Sequence, residues 1–219
     1  MSLLKEIKSF RKGPEKSGYA LYYTYRQVSP FFSALFIKLR FSPNFITFLS
    51  MLSDFLVIYL MYLQNWILAG ILVNLAMILD CSDGELARYY RSKEKSPKET
   101  HYGSYLDEVL GTIGFTLVVF FTGYFMNQQA IGLFAMFGLF MLIVTSLTAE
   151  KEFPNKKEIA KKFEESLFGN LKGRIGFPCA AQRILVSIAV LFSSHIILLI
   201  FGVICHLFYL IKFLVYRKY

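Results

Sequence analysis

Residues 44–88 read NFITFLSMLSDFLVIYLMYLQNWILAGILVNLAMILDCSDGELAR. Two apolar runs, 44–63 and 67–88, are parted there by only Gln64, Asn65 and Trp66. About 20 helical residues, each rising about 1.5 Å, cross a hydrocarbon layer roughly 30 Å thick. Outward from this pair the pattern recurs at 103–126, 130–149, 179–194 and 196–215, and a chain of 219 residues has no soluble core able to hide so many runs. The fifth run is short and begins at Pro178, a residue suited to a first helical turn. Hydrophobic residues make up 55% of the chain, which excludes a disordered protein. Three cysteines (Cys81, Cys179, Cys205) without a C-x-x-C pair support neither a disulfide scaffold nor a cysteine zinc site.

Charge orients the spans. The net charge is +9, from 24 Lys and Arg against 15 Asp and Glu. The basic residues flank apolar runs, which points to anionic lipid head groups or phosphorylated substrates and not to nucleic acid. Residues 1–40 hold eight of them, 88–102 five, 150–178 seven and the tail three, whereas the alternate connections at 64–66, 127–129 and 193–195 hold none. The positive-inside rule then predicts six transmembrane helices, both termini cytoplasmic, with the acidic helix ends on the cytoplasmic face. The first 40 residues lack the short apolar run and small-residue cleavage site of a signal peptide. Residues 20–39, ALYYTYRQVSPFFSALFIKL, predict an amphipathic interfacial helix, broken or kinked near Pro30. Residues 156–168 predict a short cytoplasmic helix with a solvated face. The expected architecture is therefore all-α: a cytoplasmic N-terminal segment with an interfacial helix over 1–40, then a six-helix transmembrane domain over 41–219.

The second span ends in MILDCSDGELARYY, and the third begins HYGSYLDEVLG. Asp80 and Asp83 are three residues apart, so they share a helix face, which Gly84 and Ala87 continue with almost no side chain. Gly103 and Asp107 again put a small residue one turn from a carboxylate. An antiparallel hairpin would bring Asp80, Asp83 and Asp107 together. Three such carboxylates repel unless protonated, paired or bound to a cation. Hard oxygen donors suit Mg2+ or Mn2+, and a diphosphate could approach closely over Gly84, Ala87 and Gly103. Without a Cys/His constellation, zinc is not expected.

These residues resemble the CDP-alcohol phosphotransferase family, whose pattern is D-x2-D-G-x2-A-R-x8-9-G-x3-D-x3-D. Asp80, Asp83, Gly84, Ala87, Arg88, Gly103 and Asp107 match it in type and order. Pro43-Asn44-x-x-Thr47 is similar to the P-N-x-x-T that precedes the first span in many members, though a helix-start signal explains Pro43 and Asn44 as well. The resemblance implies a six-helix core, a preceding interfacial helix, a homodimer, and Asn44, Thr47, Gly84, Ala87, Arg88 and Gly103 around a CDP-linked alcohol donor. Fourteen residues, not eight or nine, separate Arg88 from Gly103, which reads as an enlarged polar loop. The family's last Asp falls on Gly111. That Asp is a metal ligand and the base for the acceptor hydroxyl in the family, and a glycine can be neither.

The reaction implied is attack by an acceptor oxygen on the donor phosphorus beside the alcohol portion, with CMP leaving, in phospholipid or polyol-phosphate biosynthesis. Three readings accommodate Gly111. Glu108, three residues before it, reaches the gap; or the acceptor attacks through an oxygen already anionic; or transfer is lost and a binding protein remains. A cationic acceptor pocket of Lys172, Arg174 and Arg183 is expected, with Arg183 one turn inside the fifth span needing a partner. Glu85 either bonds an acceptor hydroxyl or pairs with a cytoplasmic lysine. Asp54 reads as a structural residue facing the bundle. Gly111, Gly114 and Gly123 allow close helix contact, in a dimer or within the bundle. An ion transporter is disfavoured because the carboxylates lie at helix ends and no inverted repeat is visible.

Overall fold

The computed structural model describes residues 3–11, 19–93, 101–152 and 179–217. Among them the protein is all helical. In chain order the helices are α1 (Leu3–Phe10), α2 (Tyr19–Tyr23), α3 (Tyr25–Lys38), α4 (Pro43–Tyr62), α5 (Trp66–Lys93), α6 (His101–Phe125), α7 (Gln129–Glu152), α8 (Cys179–Leu191) and α9 (His195–Arg217). All six apolar runs form helices. Four of these, α4, α5, α7 and α9, are long and apolar enough to cross a membrane; α8 and the apolar part of α6, Val109–Phe125, are shorter. The expected helix within 156–168 lies outside the described residues.

Local chemistry sets the helix ends. Ser42 caps α4 by accepting the Phe45 N–H at 3.2 Å, and Pro43 takes the first turn, where its missing N–H does no harm. The other ends share one device. Arg40, Gln64, Asn127 and Ser193 each take a positive φ. The residue after each then donates its N–H back five residues: Phe41 to Phe36, Asn65 to Leu60, Gln128 to Gly123 and Ser194 to Ala189. This closure satisfies the last carbonyls and reverses the chain within a few residues. It is how the uncharged connections can be so short.

α4 runs along both α5 and α6, α8 and α3 pack on α5, and α7 pairs with α6 and α9. Val57, Met61, Val73, Val118, Leu139 and Phe201 lie in the main core. α4 lies against both α5 and α6, and these two approach each other at Asp80 and Gly111. Gly123 and Gly114 serve packing within this chain. A Cβ at Gly123 would lie 2.5 Å from the Gly132 backbone, and one at Gly114 would lie 2.8 Å from the Asp54 carboxylate. Lipid-facing positions are apolar, with Phe48, Leu52, Phe55 and Tyr59 of α4 all exposed.

The N-terminal segment departs from expectation in two ways. The break falls at Thr24, between α2 and α3, and α3 continues through Pro30. A proline inside a helix leaves the carbonyl four residues earlier without its donor. Here that carbonyl belongs to Arg26, and it accepts from Arg11 Nη1 at 3.1 Å. The second departure is α1, a further helix in the N-terminal segment, where the sequence predicts only the one over 20–39. It docks on α3 and on the end of α5. Ile7 is fully buried, Glu6 pairs with Lys93 at 2.7 Å, and the Phe10 ring meets Tyr89 edge-on. α5 also runs five residues past the expected end at Arg88. Its 28 residues extend about 42 Å, more than a bilayer core needs.

Candidate functional site

α3 has its faces reversed relative to a soluble helix. Arg26, Ser29 and Ser33 are buried against α5, while Val28, Phe31, Leu35 and Leu39 form an exposed apolar stripe. The buried face is joined to α5 by hydrogen bonds. Ser29 and Ser33 donate to the two oxygens of Glu85 at 2.8 and 2.7 Å, and Ser82 donates to the Ser29 carbonyl at 3.4 Å. Tyr25 donates to Asn74 Oδ1 at 2.6 Å, and its burial pushes the phenol up to about 12. Glu85 is wholly buried, and both its oxygens already accept from serine. It therefore joins two helices, and its burial keeps it from an acceptor in this arrangement.

Asp80 and Asp83 lie one turn apart in the C-terminal half of α5, as their spacing predicts. Asp83 is buried and accepts from Thr47 Oγ1 at 2.7 Å, so the two motifs read from sequence meet in space. Asn44, at the start of α4, is exposed. Asp80 faces α6: a Cβ built on Gly111 would stand 3.8 Å from Asp80 Oδ1, ordinary van der Waals contact. Where α5 and α6 approach, the Asp80 carboxylate thus faces a bare backbone. The side chains of Asp107 and Glu108, and the surroundings of Gly103, lie outside the described residues, as do Lys172 and Arg174.

Gly84 and Arg88 are coupled. The Arg88 guanidinium folds back along the helix, with Nη1 3.2 Å from where a Cβ at Gly84 would be. Its Nε donates to the Phe10 carbonyl at 2.7 Å, which ties α1 to the motif. A side chain at position 84 would push the guanidinium off this path. Ala87 is half-buried beside it.

Deeper in the bundle, Arg183 of α8 meets Asp54 of α4 in a bidentate pair, with Nη1 2.8 Å from Oδ1 and Nη2 3.2 Å from Oδ2. Both side chains are buried, and the guanidinium lies over the Phe115 ring at 4.6 Å. Sequence reading asked for a partner for Arg183 and turned Asp54 inward without joining them. Their signal was present: each is a lone charge well inside an apolar span, and such charges pair. Ser29 and Ser33 were missed as contributors because their partner, Glu85, lies more than 50 residues away.

Among the described residues no three His, Cys, Asp or Glu side chains gather as a metal site. Asp80 and Asp83 nevertheless offer hard oxygen donors, Asp80 facing the side-chain-free backbone at Gly111, and carboxylates of this kind fit Mg2+ or Mn2+.

A family model for CDP-alcohol phosphatidyltransferases matches residues 40–214. An archaetidylinositol phosphate synthase of Pyrococcus horikoshii is 34% identical over 83 residues, 38% of this chain and 41% of that protein. This chain therefore aligns with less than half the length of that relative. With several apolar helices and a family match that extends from the start of α4 to near the end of α9, the chain is a multi-pass membrane protein and belongs to the CDP-alcohol phosphatidyltransferase family.

Proposed function

We propose that this protein transfers a phospho-alcohol group from a CDP-linked donor to an acceptor at the cytoplasmic ends of six membrane spans, α4 to α9, in phospholipid biosynthesis. The observation that carries the reading is that three helices meet at the motif: Thr47 of α4 bonds Asp83 of α5, and Asp80, one turn away on α5, faces Gly111 of α6. Asp80, Asp83 and Asp107 would hold Mg2+ or Mn2+, which when bound neutralises the diphosphate and stabilises the departing phosphate. Gly84, Ala87 and Gly103 let the donor approach the backbone, with Asn44, Thr47 and Arg88 around it. An oxygen–phosphorus bond forms to the acceptor, the bond between that phosphorus and the CMP oxygen breaks, and the acceptor proton, where there is one, leaves.

Position 111 decides how that proton is handled. Asp107 and Glu108 are the remaining carboxylates on α6, and Glu108 is the base if the nucleophile is a hydroxyl. The relative's product name points to a phosphorylated polyol as acceptor, for which Lys172, Arg174 and Arg183 supply cationic partners. Arg183 would keep its bond to Asp54 and be positioned by it. The N-terminal helices lie on the inner leaflet through the apolar stripe of α3.

Gly111 itself favours a second reading, a family member that binds a nucleotide without transfer. Purified protein incubated with Mg2+ and a panel of CDP-alcohols separates the two. Transfer predicts CMP release that Asp107→Asn abolishes while the variant still inserts in membranes. Full activity in that variant would refute the metal assignment, and CDP binding without CMP release from any donor would favour the second reading.

A further inference from the structure

Two guanidinium groups lie buried at the junction of α3 and α5 with nitrogens that bond to nothing among the described residues. They are Nε and Nη1 of Arg26 and Nη2 of Arg88. Arg26 is only 7% exposed. The two side chains are within electrostatic reach of each other, and like charges that close repel. A buried donor left unpaired loses its hydration without recompense, more so on a charged group. A native fold holds such an arrangement when something else completes it.

The neighbouring anions leave it incomplete. Glu85 lies within reach of both arginines, but its oxygens already accept from Ser29 and Ser33. Asp83 lies within reach of Arg88 and accepts from Thr47, and Asp80 faces Gly111. The arginines are also held in place. Arg88 is fixed through Nε by the Phe10 carbonyl, and the Arg26 backbone is fixed by Arg11. Both are preorganised, with free N–H groups next to the motif that would hold a diphosphate. Planar, always charged guanidinium groups are the side chains best matched to phosphoryl oxygens.

We propose that Arg26 and Arg88 together clamp a phosphoryl group of the bound ligand, so that α3, outside the family motif, supplies part of the binding site. This rests on the reading that the protein binds a CDP-linked donor, whose diphosphate is the occupant intended. An anionic lipid phosphate shares the chemistry and is the other source the test must separate.

The test uses the full-length protein in nanodiscs of neutral lipid with Mg2+, titrated calorimetrically with CDP and, separately, with phosphatidate added to the discs. The variants are Arg26→Gln and Arg26→Lys, and thermal unfolding without ligand is the control. Loss of one charged hydrogen-bonding partner should weaken CDP binding about ten- to a hundredfold in Arg26→Gln, and less in Arg26→Lys. The ligand-free melting temperature of Arg26→Gln should hold or rise, since an uncompensated charge has been removed; a merely structural arginine would lower it. If wild type binds CDP and Arg26→Gln binds it equally well, the clamp is overturned while the donor reading stands. If wild type ignores CDP but binds phosphatidate through Arg26, the clamp stands and the donor reading falls. If neither ligand binds in an Arg26-dependent way, the clamp is overturned.

Discussion

Asp54 has no exposed surface, and its carboxylate is held by both terminal nitrogens of Arg183. Removing one member of such a pair strands the other charge in apolar surroundings, which typically costs about 3–5 kcal/mol. Asp54→Ala should therefore lower the unfolding stability by about that amount, read by thermal denaturation in detergent. An unchanged melting temperature would mean that the pair is not intact in the protein. Gly114 belongs to the same unit, since any side chain there would strike the Asp54 carboxylate. Gly111, one turn earlier, is different in kind. A Cβ fits there without strain, so Gly111→Asp adds a carboxylate facing Asp80. The expected outcome is a protein less stable without metal, because carboxylates repel, and restored by Mn2+. Equal melting curves with and without Mn2+ would show that position 111 does not face a cation site. At this scale the sequence was partly legible. The carboxylate spacing on α5 and the helix start at Pro43 are local and could be read directly. The Asp54–Arg183 pair joins residues 129 apart, and the Glu85–serine contacts join residues 56 and 52 apart, beyond what spacing can register.

At the scale of elements, Pro30 illustrates why a local rule misled. Proline does free the Arg26 carbonyl, as the rule says, but Arg11 replaces the lost donor, and α3 runs on. Arg11 also donates to Gln27 Oε1 and Tyr22 Oη, so one side chain gathers α2 and α3 to the end of α1. Arg11→Ala should leave the Arg26 carbonyl unsatisfied, with a local loss of about 1–3 kcal/mol. Hydrogen exchange should then show faster opening of α1, Leu3–Phe10, with the core of α5 unaffected. Unchanged protection of α1 would mean that Ile7 and Phe10 hold it without Arg11. The packing of α4 against both α5 and α6 was likewise out of reach of sequence, because chain adjacency alone does not show it.

For the whole molecule, the number and order of apolar helices followed from run length alone, since hydrocarbon thickness leaves few alternatives. The orientation expected from charge can be measured. Single cysteines replacing Asn127 or Ser193 should react with a membrane-impermeant maleimide from outside intact cells. One replacing Ser92 should react only after permeabilisation. Labelling of all three from one side would refute six spans.

One uninterrupted helix, α5, carries Asp80, Asp83 and Arg88. Along its axis the first and last are about 12 Å apart, a spacing no loop can alter. If the proposed transfer holds and the donor is moored by hydrocarbon tails, α5 acts as a depth gauge, and the donor's phosphorus must sit at the level that gauge sets. Turnover of such a donor would then depend on bilayer thickness, since host lipids with longer or shorter acyl chains would lift or sink it relative to Asp80 and Arg88.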